Sequence, residues 1–567
     1  MVNGRRITLV ADQALGYHKT GGLGTATTHL ALALGRLGHD VEILYFGEVP
    51  GEPVDAEWTR LYDEAGVRIR LLPPYDVAVE PAYFHRMRAV EVALRASPPD
   101  VVIAQDLGAP AYCAVRLRSL GLAFEQTLFV LYCHGTRQWI TNMARKVRVL
   151  PGALAVSRLE QACVELADVV VSPSAYMVDW MRGQGWRLPA DTRVIPLVTR
   201  SAATGEAPAP RAPGQNGGVD RLTFFGRFEE RKGVRPFVAG VNALPPDVLR
   251  RVELEFLGRP TSELTQETID GLLSETARSM LRGVTYETEL DQHDALARLS
   301  RPGTLAVMPS LEDNSPNVVY ECLERGIPFV ASAVGGTSEL VAPEDRERVL
   351  FEPTPEGVAR ALQHAVTTAD VLRPARPAFD HSLAVRRWGD VVARDGTSAL
   401  SPADGSDDWA VLEPDVADPL FRAQAATGAD VVTCGARVGG TEYLFSGDPG
   451  GLGLLRDDYG KPALVRRALL DGETPGWPLL ARLSTRGARI VSIPLPLIAA
   501  QSPPETLESA PAEALLVADA FERALPDRFR ALPRLTLGLA VEARGRTTPA
   551  PRSFARRLAR AVRRRLP

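Results

Sequence analysis

The sequence predicts an α/β protein with two consecutive parallel-sheet lobes, a cleft between them and a smaller α/β module behind them. Three observations support this prediction. Residues 6–46 run in the order strand, glycine-rich loop, helix, strand, and residues 304–340 repeat a strand–helix–strand order that ends in a glycine turn. Residues 201–220 separate the two series and have the Ala-, Pro- and Gly-rich composition of a linker. Ligands commonly bind in the cleft between two such lobes.

Composition narrows the class of protein. A chain of 567 residues exceeds what one hydrophobic core can serve, which predicts three or four domains. The net charge of −4 at pH 7 provides no overall basic field, so nucleic acid is not expected as a partner. The five cysteines show neither a CxxC pair nor zinc-site spacing and fit a reducing compartment. The sequence begins directly with a strand and has no apolar run long enough to span a bilayer, so a soluble, cytoplasmic protein is expected.

The first lobe is predicted over residues 1–200. Strands are expected at 6–10, 41–46, 100–104 and 128–133, with helical segments between them. This alternation is typical of a parallel sheet whose helices cover both faces.

The loop before the first helix, which is expected to begin at Thr25, reads KTGGLG and contains Lys19, Gly21 and Gly22. The glycines suit a tight turn, and they equally suit a backbone that approaches an anion at a helix N-terminus. Lys19 favours the second explanation, because it adds a mobile positive charge beside the N–H groups. A dinucleotide-binding fingerprint is a third possibility, but Thr27 stands where that pattern has its last glycine.

A histidine follows the strand predicted at 128–133. In open α/β sheets the carboxyl ends of the strands form the ligand-binding edge. His134, and Asp106 after the neighbouring strand, are therefore positioned where a substrate can bind. A single histidine is also often structural, and its position alone leaves both explanations open.

The second lobe is predicted over residues 221–370 and starts with strand 222–225, followed by GRFEERKG. Arg227 offers a planar fork that suits phosphate oxygens, and Lys232 offers a point charge. The intervening Glu-Glu-Arg sequence leaves a second explanation, which is a solvated run of charges.

Residues 308–340 contain the most specific pattern in the chain. A helix is expected to open at Ser315-Pro316, since Ser is a favoured N-cap and Pro suits the first helical position. Glu321 lies one turn after Asn317 on the same helix face. A helix N-terminus attracts phosphate, and carboxylates accept hydrogen bonds from sugar hydroxyls. The stretch therefore predicts a nucleotide-sugar site.

Five motifs occur in the order and spacing of a known family. The sequence resembles the GT-B retaining glycosyltransferases and, among them, glycosyltransferase family 4; its KTGGL form is similar to glycogen and starch synthases. The resemblance covers residues 1–395 and implies a GT-B architecture of two Rossmann-like lobes facing each other across a cleft. The motifs are KTGGLG (19–24), His134-Gly135, GRFEERKG (226–233), the acidic turn with Glu321, and GGTSEL (335–340).

The resemblance implies transfer of a sugar from a nucleotide-diphosphate-sugar donor with retained anomeric configuration, without a metal or another cofactor. It further implies that Arg227 and Lys232 neutralise the leaving diphosphate, that His134 lies beside the donor sugar and that Glu321 holds the ribose hydroxyls. The implied catalytic residues are Arg227, Lys232, His134 and Asp313, and the implied donor-binding residues are Lys19, Gly21, Gly22, Gly226, Glu312, Asn314, Ser315, Asn317, Val318 and Glu321.

One acid departs from the family pattern. The family has a glutamate eight residues before the position of Glu321, and this chain has Asp313 there, with Glu312 beside it. Either a shorter acid or a glutamate in a shifted register then serves as the first acid of the signature. The sequence leaves both alternatives open.

The last third of the chain is predicted to form a separate module. Residues 371–395, with Trp388, resemble the helix by which GT-B proteins return to the first lobe, and residues 396–408 form a second linker. Residues 409–545 resemble the latter half of a family 2, GT-A glycosyltransferase. That family has an Asp-x-Asp metal site where residues 413–415 read Glu-Pro-Asp, and the nucleotide-binding first half of its fold is missing here. A catalytically silent, partial GT-A-like module without a metal is expected, with a role in acceptor binding or assembly.

The tail, residues 546–567, ends in SFARRLARAVRRRLP. This segment places apolar residues along one helical face among arginines, and a basic amphipathic helix can make peripheral contact with the cytoplasmic face of an anionic membrane. A solvated chain end explains the same segment equally well.

The leading hypothesis is a retaining glycosyltransferase of polysaccharide biosynthesis. It would move a sugar from a nucleotide-sugar donor to a glycan, a lipid-linked acceptor or a small molecule. Two alternatives share the fold. One is a GT-B nucleotide-sugar epimerase, which needs no acceptor. The other is a non-catalytic nucleotide-sugar-binding or scaffold protein, which Asp313 and the degenerate third module favour.

Overall fold

The described residues form three β-sheets, two of which are fully parallel, so the predicted α/β class is confirmed. The elements come from a computed structural model. Lys19, residues 206–217 and 397–407 of the two linkers, and the arginine-rich tail lie outside the described part of the chain. The described residues are 4–17, 21–48, 55–143, 151–205, 218–368, 370–396, 408–526, 532–534 and 536–537.

The first lobe is built on a seven-stranded parallel sheet. Its elements, in chain order, are β1 (Arg6–Ala11), α1 (Gly22–Arg36), β2 (Asp40–Tyr45), α2 (Ala56–Ala65), β3 (Val67–Leu71), β4 (Ala78–Glu80), α3 (Tyr83–Ala96), β5 (Val101–Gln105), α4 (Tyr112–Ser119), β6 (Leu128–Tyr132), α5 (Arg137–Met143), α6 (Pro151–Leu166), β7 (Val169–Ser172), α7 (Ala175–Gly183), β8 (Thr192–Val194) and α8 (Arg200–Thr204). The strand order is β3-β2-β1-β5-β6-β7-β8, and β4 does not belong to this sheet. Strands β5 and β6 are apolar almost throughout and completely buried, as expected for strands with helices on both faces.

The second lobe repeats this plan with six parallel strands in the order β11-β10-β9-β12-β13-β14. Four phenylalanines pack against one another behind β9 and close its core. The elements are β9 (Arg221–Phe225), α9 (Val234–Asn242), α10 (Pro246–Leu249), β10 (Glu253–Leu257), α11 (Gln266–Asp270), α12 (Glu275–Met280), β11 (Val284–Glu287), α13 (Gln292–Leu299), β12 (Thr304–Met308), α14 (Asn317–Arg325), β13 (Phe329–Ser332), α15 (Thr337–Leu340), α16 (Pro343–Val349), β14 (Leu350–Phe351) and α17 (Pro355–Thr368).

Helix α18 (His381–Val392) returns the chain from the second lobe to the first. Asp380 caps it by accepting hydrogen bonds from two backbone N–H groups of its first turn. Trp388 is fully buried, and its ring lies 4.9 Å from the ring of Tyr132 at the end of β6. Helix α18, which follows the second lobe in the chain, therefore packs against the first lobe through Trp388.

The C-terminal module has a mixed sheet with the order β15-β18-β16-β17-β4, and β19 lies beside β16. The β4 strand at its edge comes from the first lobe and pairs in parallel with β17. The sequence did not predict this shared strand, since three residues are too few to show a periodic pattern. The elements of the module are β15 (Trp409–Val411), α19 (Ala417–Thr427), β16 (Val431–Val438), β17 (Thr441–Tyr443), β18 (Lys461–Arg466), α20 (Trp477–Thr485), β19 (Ile490–Ala499) and α21 (Pro511–Ala524).

A buried carboxylate joins the module to the first lobe. Glu442, only 1% exposed, accepts hydrogen bonds from the hydroxyl of Tyr75 at 2.8 Å and from Arg88 at 3.2 Å, both in the first lobe. Arg437 of the module donates to the other oxygen at 2.7 Å. Leu444 is buried in the apolar core of the first lobe. The C-terminal module therefore packs directly against the first lobe through buried polar and apolar contacts.

Two predicted helix starts were wrong. The first helix begins at Gly22 and not at Thr25, because residues 22–24 already have helical geometry. Helix α14 begins at Asn317 with Pro316 as its N-cap, and Ser315 does not cap it. The hydroxyl of Ser315 lies 3.0 Å from the hydroxyl of Tyr320 instead. In the described ranges, no helix is both long and apolar enough to cross a membrane.

Replacing Glu442 with Ala is expected to lower the stability of the chain by about 3 kcal/mol, because Arg88 and Tyr75 lose their buried partner. Urea denaturation followed by tryptophan fluorescence measures the change. Glu473→Ala is the control, since Glu473 forms a surface ion pair with Arg482, and such pairs contribute about 0–1 kcal/mol. Equal denaturation midpoints for the two variants would show that the shared strand, and not the carboxylate, holds the module.

Candidate active site

The basic loop, residues 226–233, joins β9 to α9 at the carboxyl end of the second-lobe sheet. Gly233 has φ +76°, and a Cβ there would lie 1.8 Å from the carbonyl oxygen of Pro309, so only glycine permits this close approach. Gly226 has φ +148° and lies beside the aliphatic stem of Lys232. The loop is thereby fixed against the turn that follows β12.

The acidic turn, residues 311–316, holds a buried ion pair with the basic loop. The ammonium nitrogen of Lys232 lies 2.5 Å from Oδ2 of Asp313, and the hydroxyl of Ser310 donates to the same oxygen at 3.4 Å. Burial raises the pKa of Asp313, but the charges of Lys232 and Arg231 outweigh burial and hold this pKa below its ordinary value. Burial lowers the pKa of Lys232, and the charge of Asp313 opposes that shift. Asp313 is therefore the internal counterion of Lys232.

Glu312 has a different environment from its neighbour. The hydroxyl of Tyr176, in the first turn of α7 of the opposite lobe, lies close enough to the carboxyl of Glu312 to shift the pKa of both groups. Burial is the largest effect and holds the pKa of Glu312 above its ordinary value. The hydroxyl of Tyr176 and the charge of Arg231 lower this pKa, and the charge of Asp313 raises it. Of the two candidate first acids, Asp313 is engaged by a lysine and Glu312 by a phenol.

Arg231 is a residue of the candidate site that the sequence did not reveal. It donates to Glu229 at 2.9 Å and to the carbonyl oxygen of Glu312 at 3.3 Å, and its guanidinium lies 5.8 Å from the ring of Trp139 in the first lobe. The sequence presents it within a charge run, since each of its partners except Glu229 is distant along the chain. No local pattern distinguishes it from a solvated arginine.

Arg227, by contrast, is exposed. Its guanidinium lies 3.2 Å from the carboxylate of Glu229, which Arg231 also contacts. The basic loop thus offers one exposed guanidinium, one half-buried guanidinium and one buried ammonium group within six residues. Positive charge of this density suits a ligand with several phosphate oxygens.

Asn314 joins the acidic turn to the first lobe. Its amide donates to the carbonyl oxygen of His134 at 3.0 Å and lies 3.4 Å from that of Cys133, and its side-chain oxygen accepts a hydrogen bond from Ser174. Asn314 was predicted to contact the donor. In this structure its amide is engaged between the lobes instead.

The glycine turn, residues 335–340, makes a second contact between the lobes. The carboxylate of Glu339 accepts hydrogen bonds from the backbone N–H groups of Ala175 and Tyr176 at 2.8 and 2.9 Å, which are free donors at the start of α7. A Cβ on Gly336 would lie 2.0 Å from the carbonyl oxygen of Asn314, so the turn and the acidic turn pack without side chains between them.

His134 is held by its backbone. Its N–H and that of Gly135 donate to the two oxygens of the buried Asp106, at 3.1 and 3.0 Å. Its Nε2 is buried without a partner among the described residues, and burial lowers its pKa to about 3, so the ring is neutral at pH 7. A neutral imidazole can exchange a hydrogen bond with a sugar hydroxyl.

A second buried acid supports the same loop. Glu160, fully buried, accepts hydrogen bonds from the N–H groups of Gly108 and Arg137 at 2.7 and 2.8 Å. Burial raises the pKa of Glu160 to about 8 and that of Asp106 to about 6. The sequence singled out Asp106 as a candidate ligand contact, and the structure uses it to position the turn that carries His134.

The glycine loop reaches the cleft from the first lobe. Gly21 is the N-cap of α1, and its N–H donates to the side-chain oxygen of Gln13 at 3.1 Å. A Cβ on Gly22 would lie 2.4 Å from the amide nitrogen of Asn317, so the start of α1 and the start of α14 meet across the cleft. Both glycines are exposed on their outer side.

Glu321 lies in the second turn of α14, and Gln292 of α13 donates to its Oε1 at 2.6 Å. Burial raises the pKa of Glu321, and the hydrogen bond from Gln292 lowers it. Asn317 and Val318, in the first turn of the same helix, are partly exposed towards the cleft. Within the described ranges, no group of three or more His, Cys, Asp or Glu side chains is placed to hold a metal ion.

Two family models match the chain, one in each lobe. The model described as Glycosyltransferase Family 4 matches residues 20–198, and the model described as Glycosyl transferases group 1 matches residues 219–368. The resemblance to glycosyltransferases that the motifs predicted is therefore supported in both lobes, each of which is similar to a glycosyltransferase family model. The matched segments end before the C-terminal module, whose GT-A-like character stays a prediction.

Curated relatives and a solved structure agree with these matches. The chain is 28% identical over 350 residues to a glycogen synthase of Mycobacterium tuberculosis (strain CDC 1551 / Oshkosh), which covers 57% of this chain and 76% of the relative. It is 26% identical over 231 residues to the sulfoquinovosyl transferase SQD2 of Arabidopsis thaliana, which covers 36% and 44%. A sucrose-phosphate synthase structure from Thermosynechococcus elongatus superposes with a TM-score of 0.50 at 19% identity, over 68% of this chain and 96% of that one. This structural likeness supports the GT-B fold of the two lobes.

Replacing Tyr176 with Phe is expected to raise the pKa of Glu312 further, because the lost hydroxyl donates to the ionised carboxylate and favours it. The carboxyl ¹³C shift of labelled glutamate, assigned with Glu312→Gln, follows the titration. Tyr286→Phe is the matched control, since Tyr286 donates to Asp270 at 2.8 Å elsewhere in the second lobe. An unchanged titration of Glu312 in Tyr176→Phe would contradict the expected contact.

Proposed function

We propose that this chain, with a family 4 and a group 1 glycosyltransferase domain, transfers a sugar from a nucleotide-diphosphate-sugar donor to a glycan or lipid-linked acceptor with retention of configuration and without a metal. The observation that carries the proposal is the basic loop, which presents Arg227, Arg231 and Lys232 beside two acids at the cleft. The similarity to a glycogen synthase supports a glycan as the acceptor.

The donor diphosphate is proposed to bind at the basic loop. Lys232 is paired with Asp313. A diphosphate at the basic loop would give the lysine a second anionic partner beside this carboxylate. Negative charge grows on the diphosphate as the bond to the sugar breaks, and fixed cations stabilise that charge more strongly in the transition state than in the ground state. The N–H groups of the first turn of α1, from Gly22 onwards, are proposed to face the diphosphate from the opposite wall.

Glu312 is proposed as the acid that contacts the donor sugar. Asp313 is already the counterion of Lys232, whereas the partner of Glu312 is a neutral hydroxyl from the opposite lobe. The unpartnered Nε2 of His134 supports a second contact with the sugar. Glu321, held by Gln292, supports the ribose contact that the family resemblance implies.

Arg227→Ala and Lys232→Ala are each expected to lower kcat/KM for the donor by about 10- to 100-fold, since each removes a charge-assisted contact of about 1.5–3 kcal/mol. Donor consumption in the presence of an oligosaccharide acceptor measures the effect. Arg235→Ala is the control, because Arg235 pairs with Glu230 on the exposed side of the same loop. Full activity in the double variant would overturn the proposed diphosphate site.

Glu312→Gln and Asp313→Asn separate the two candidate acids. Glu312→Gln is expected to lower kcat by at least about ten-fold with little change in melting temperature. Asp313→Asn is expected to lower the melting temperature as well, because Lys232 then lies buried without its counterion. Paired kinetic and thermal measurements distinguish the roles, and a Glu312→Gln enzyme with normal kcat would return the catalytic assignment to Asp313.

A further inference from the structure

A histidine of the first lobe has one unused nitrogen. His29 lies on α1 and is 5% exposed, and its Nδ1 is 3.1 Å from the carbonyl oxygen of Val198. A carbonyl oxygen only accepts hydrogen bonds, so Nδ1 carries the proton and Nε2 presents a lone pair in the neutral ring. Burial lowers the pKa of His29 to about 4, which keeps the ring neutral at pH 7. Nε2 is buried and has no partner within the described part of the chain.

His29 lines a pocket between the two lobes. One wall comes from α1 and residues 197–200 of the first lobe, and the other comes from α13 and α14 of the second. The charged side chains that line it are Glu321, Glu324 and Arg325 of α14 and Arg200 of the first lobe, and Gln292 and His293 of α13 lie beside them. The pocket therefore includes the acid proposed to hold the ribose and lies one helix turn beyond the start of α14, where α1 and α14 meet.

The walls of the pocket define the chemistry of its ligand. The Nε2 lone pair of His29 and the carboxylates of Glu321 and Glu324 accept hydrogen bonds. Arg200 and Arg325 also line the pocket and balance the charge of the two carboxylates. The walls therefore suit a polar group without net charge, whose hydroxyl and N–H donors reach these acceptors. A nucleoside offers ribose hydroxyls and N–H groups of its base and carries its phosphates at one end only, so it fits with its phosphates directed towards the basic loop.

We propose that Nε2 of His29 accepts a hydrogen bond from the nucleoside of the donor, so that both lobes bind the nucleoside. This inference rests on the proposed function. It assigns a specificity role to a residue of the first lobe, outside the basic loop and the acidic turn. It also means that the nucleoside leaves only when the first lobe withdraws from the second.

The experiment compares three variants by calorimetry against UDP, ADP, GDP and inorganic pyrophosphate. His29→Leu removes the acceptor, and His29→Gln keeps an amide oxygen as an acceptor. His39→Leu is the matched control, since His39 is also a buried histidine of the first lobe, bonded to the N–H of Arg5 at 3.3 Å and outside the pocket.

His29→Leu is expected to bind the nucleotide that the unaltered protein prefers about ten-fold more weakly than the unaltered protein does, which corresponds to about 1.4 kcal/mol. Pyrophosphate lacks a nucleoside, so its affinity is expected to stay unchanged. His29→Gln is expected to stay within about three-fold of the unaltered protein, and His39→Leu is expected to match it.

Two results would overturn the inference and leave the proposed function intact. One is nucleotide affinity in His29→Leu equal to that of the unaltered protein. The other is an equal loss for nucleotide and pyrophosphate, which would show that the variant disturbs α1 as a whole. Should His29→Leu fail to fold, His29→Phe, which also lacks an acceptor, takes its place, and the same two results in that variant would overturn the inference. A different failure, in which the unaltered protein binds none of the nucleotides, would overturn the proposed function itself.

Discussion

The contact between the start of α7 and two turns of the second lobe is the constraint on which the rest of the site depends. Asn314 accepts a hydrogen bond from the hydroxyl of Ser174. Glu339 accepts hydrogen bonds from the N–H groups of Ala175 and Tyr176, which the helix cannot satisfy internally. Because the same segment carries Tyr176, separation of the lobes would also move its hydroxyl away from Glu312. Lobe position and the state of the acidic turn are therefore linked through a single stretch of backbone.

The arrangement of charge explains why the site needs two acids beside three cations. A buried ammonium group without a counterion would be costly, and Asp313 stabilises Lys232 as its counterion. Arg231 lies 3.5 Å from the carboxylate of Asp313, donates to the backbone carbonyl oxygen of Glu312 and lies over the ring of Trp139 in the opposite lobe. A diphosphate can enter this arrangement with little rearrangement, since the cations are already in place and only their partners change.

The sequence predicted the fold and the elements that carry the site, because strands such as β12 and the glycine turns leave strong local patterns. It placed Lys232, Glu312 and Glu321 near the cleft for the same reason. It did not reveal Arg231 or Tyr176, whose partners lie about 80 to more than 130 residues away along the chain. Nor did it reveal the engagement of Asn314 between the lobes, which depends on tertiary packing and not on a motif.

The strand that β4 lends to the C-terminal module also affects the order of biosynthesis. Tyr75 and Glu442 are 367 positions apart, so a ribosome adding 5–20 residues per second needs about 20–70 s to supply the partner. During that time neither Glu442, the partner of Arg88, nor strand β17, the partner of β4, has been synthesised. Premature termination within the last third would leave that edge open, and an open strand edge invites aggregation.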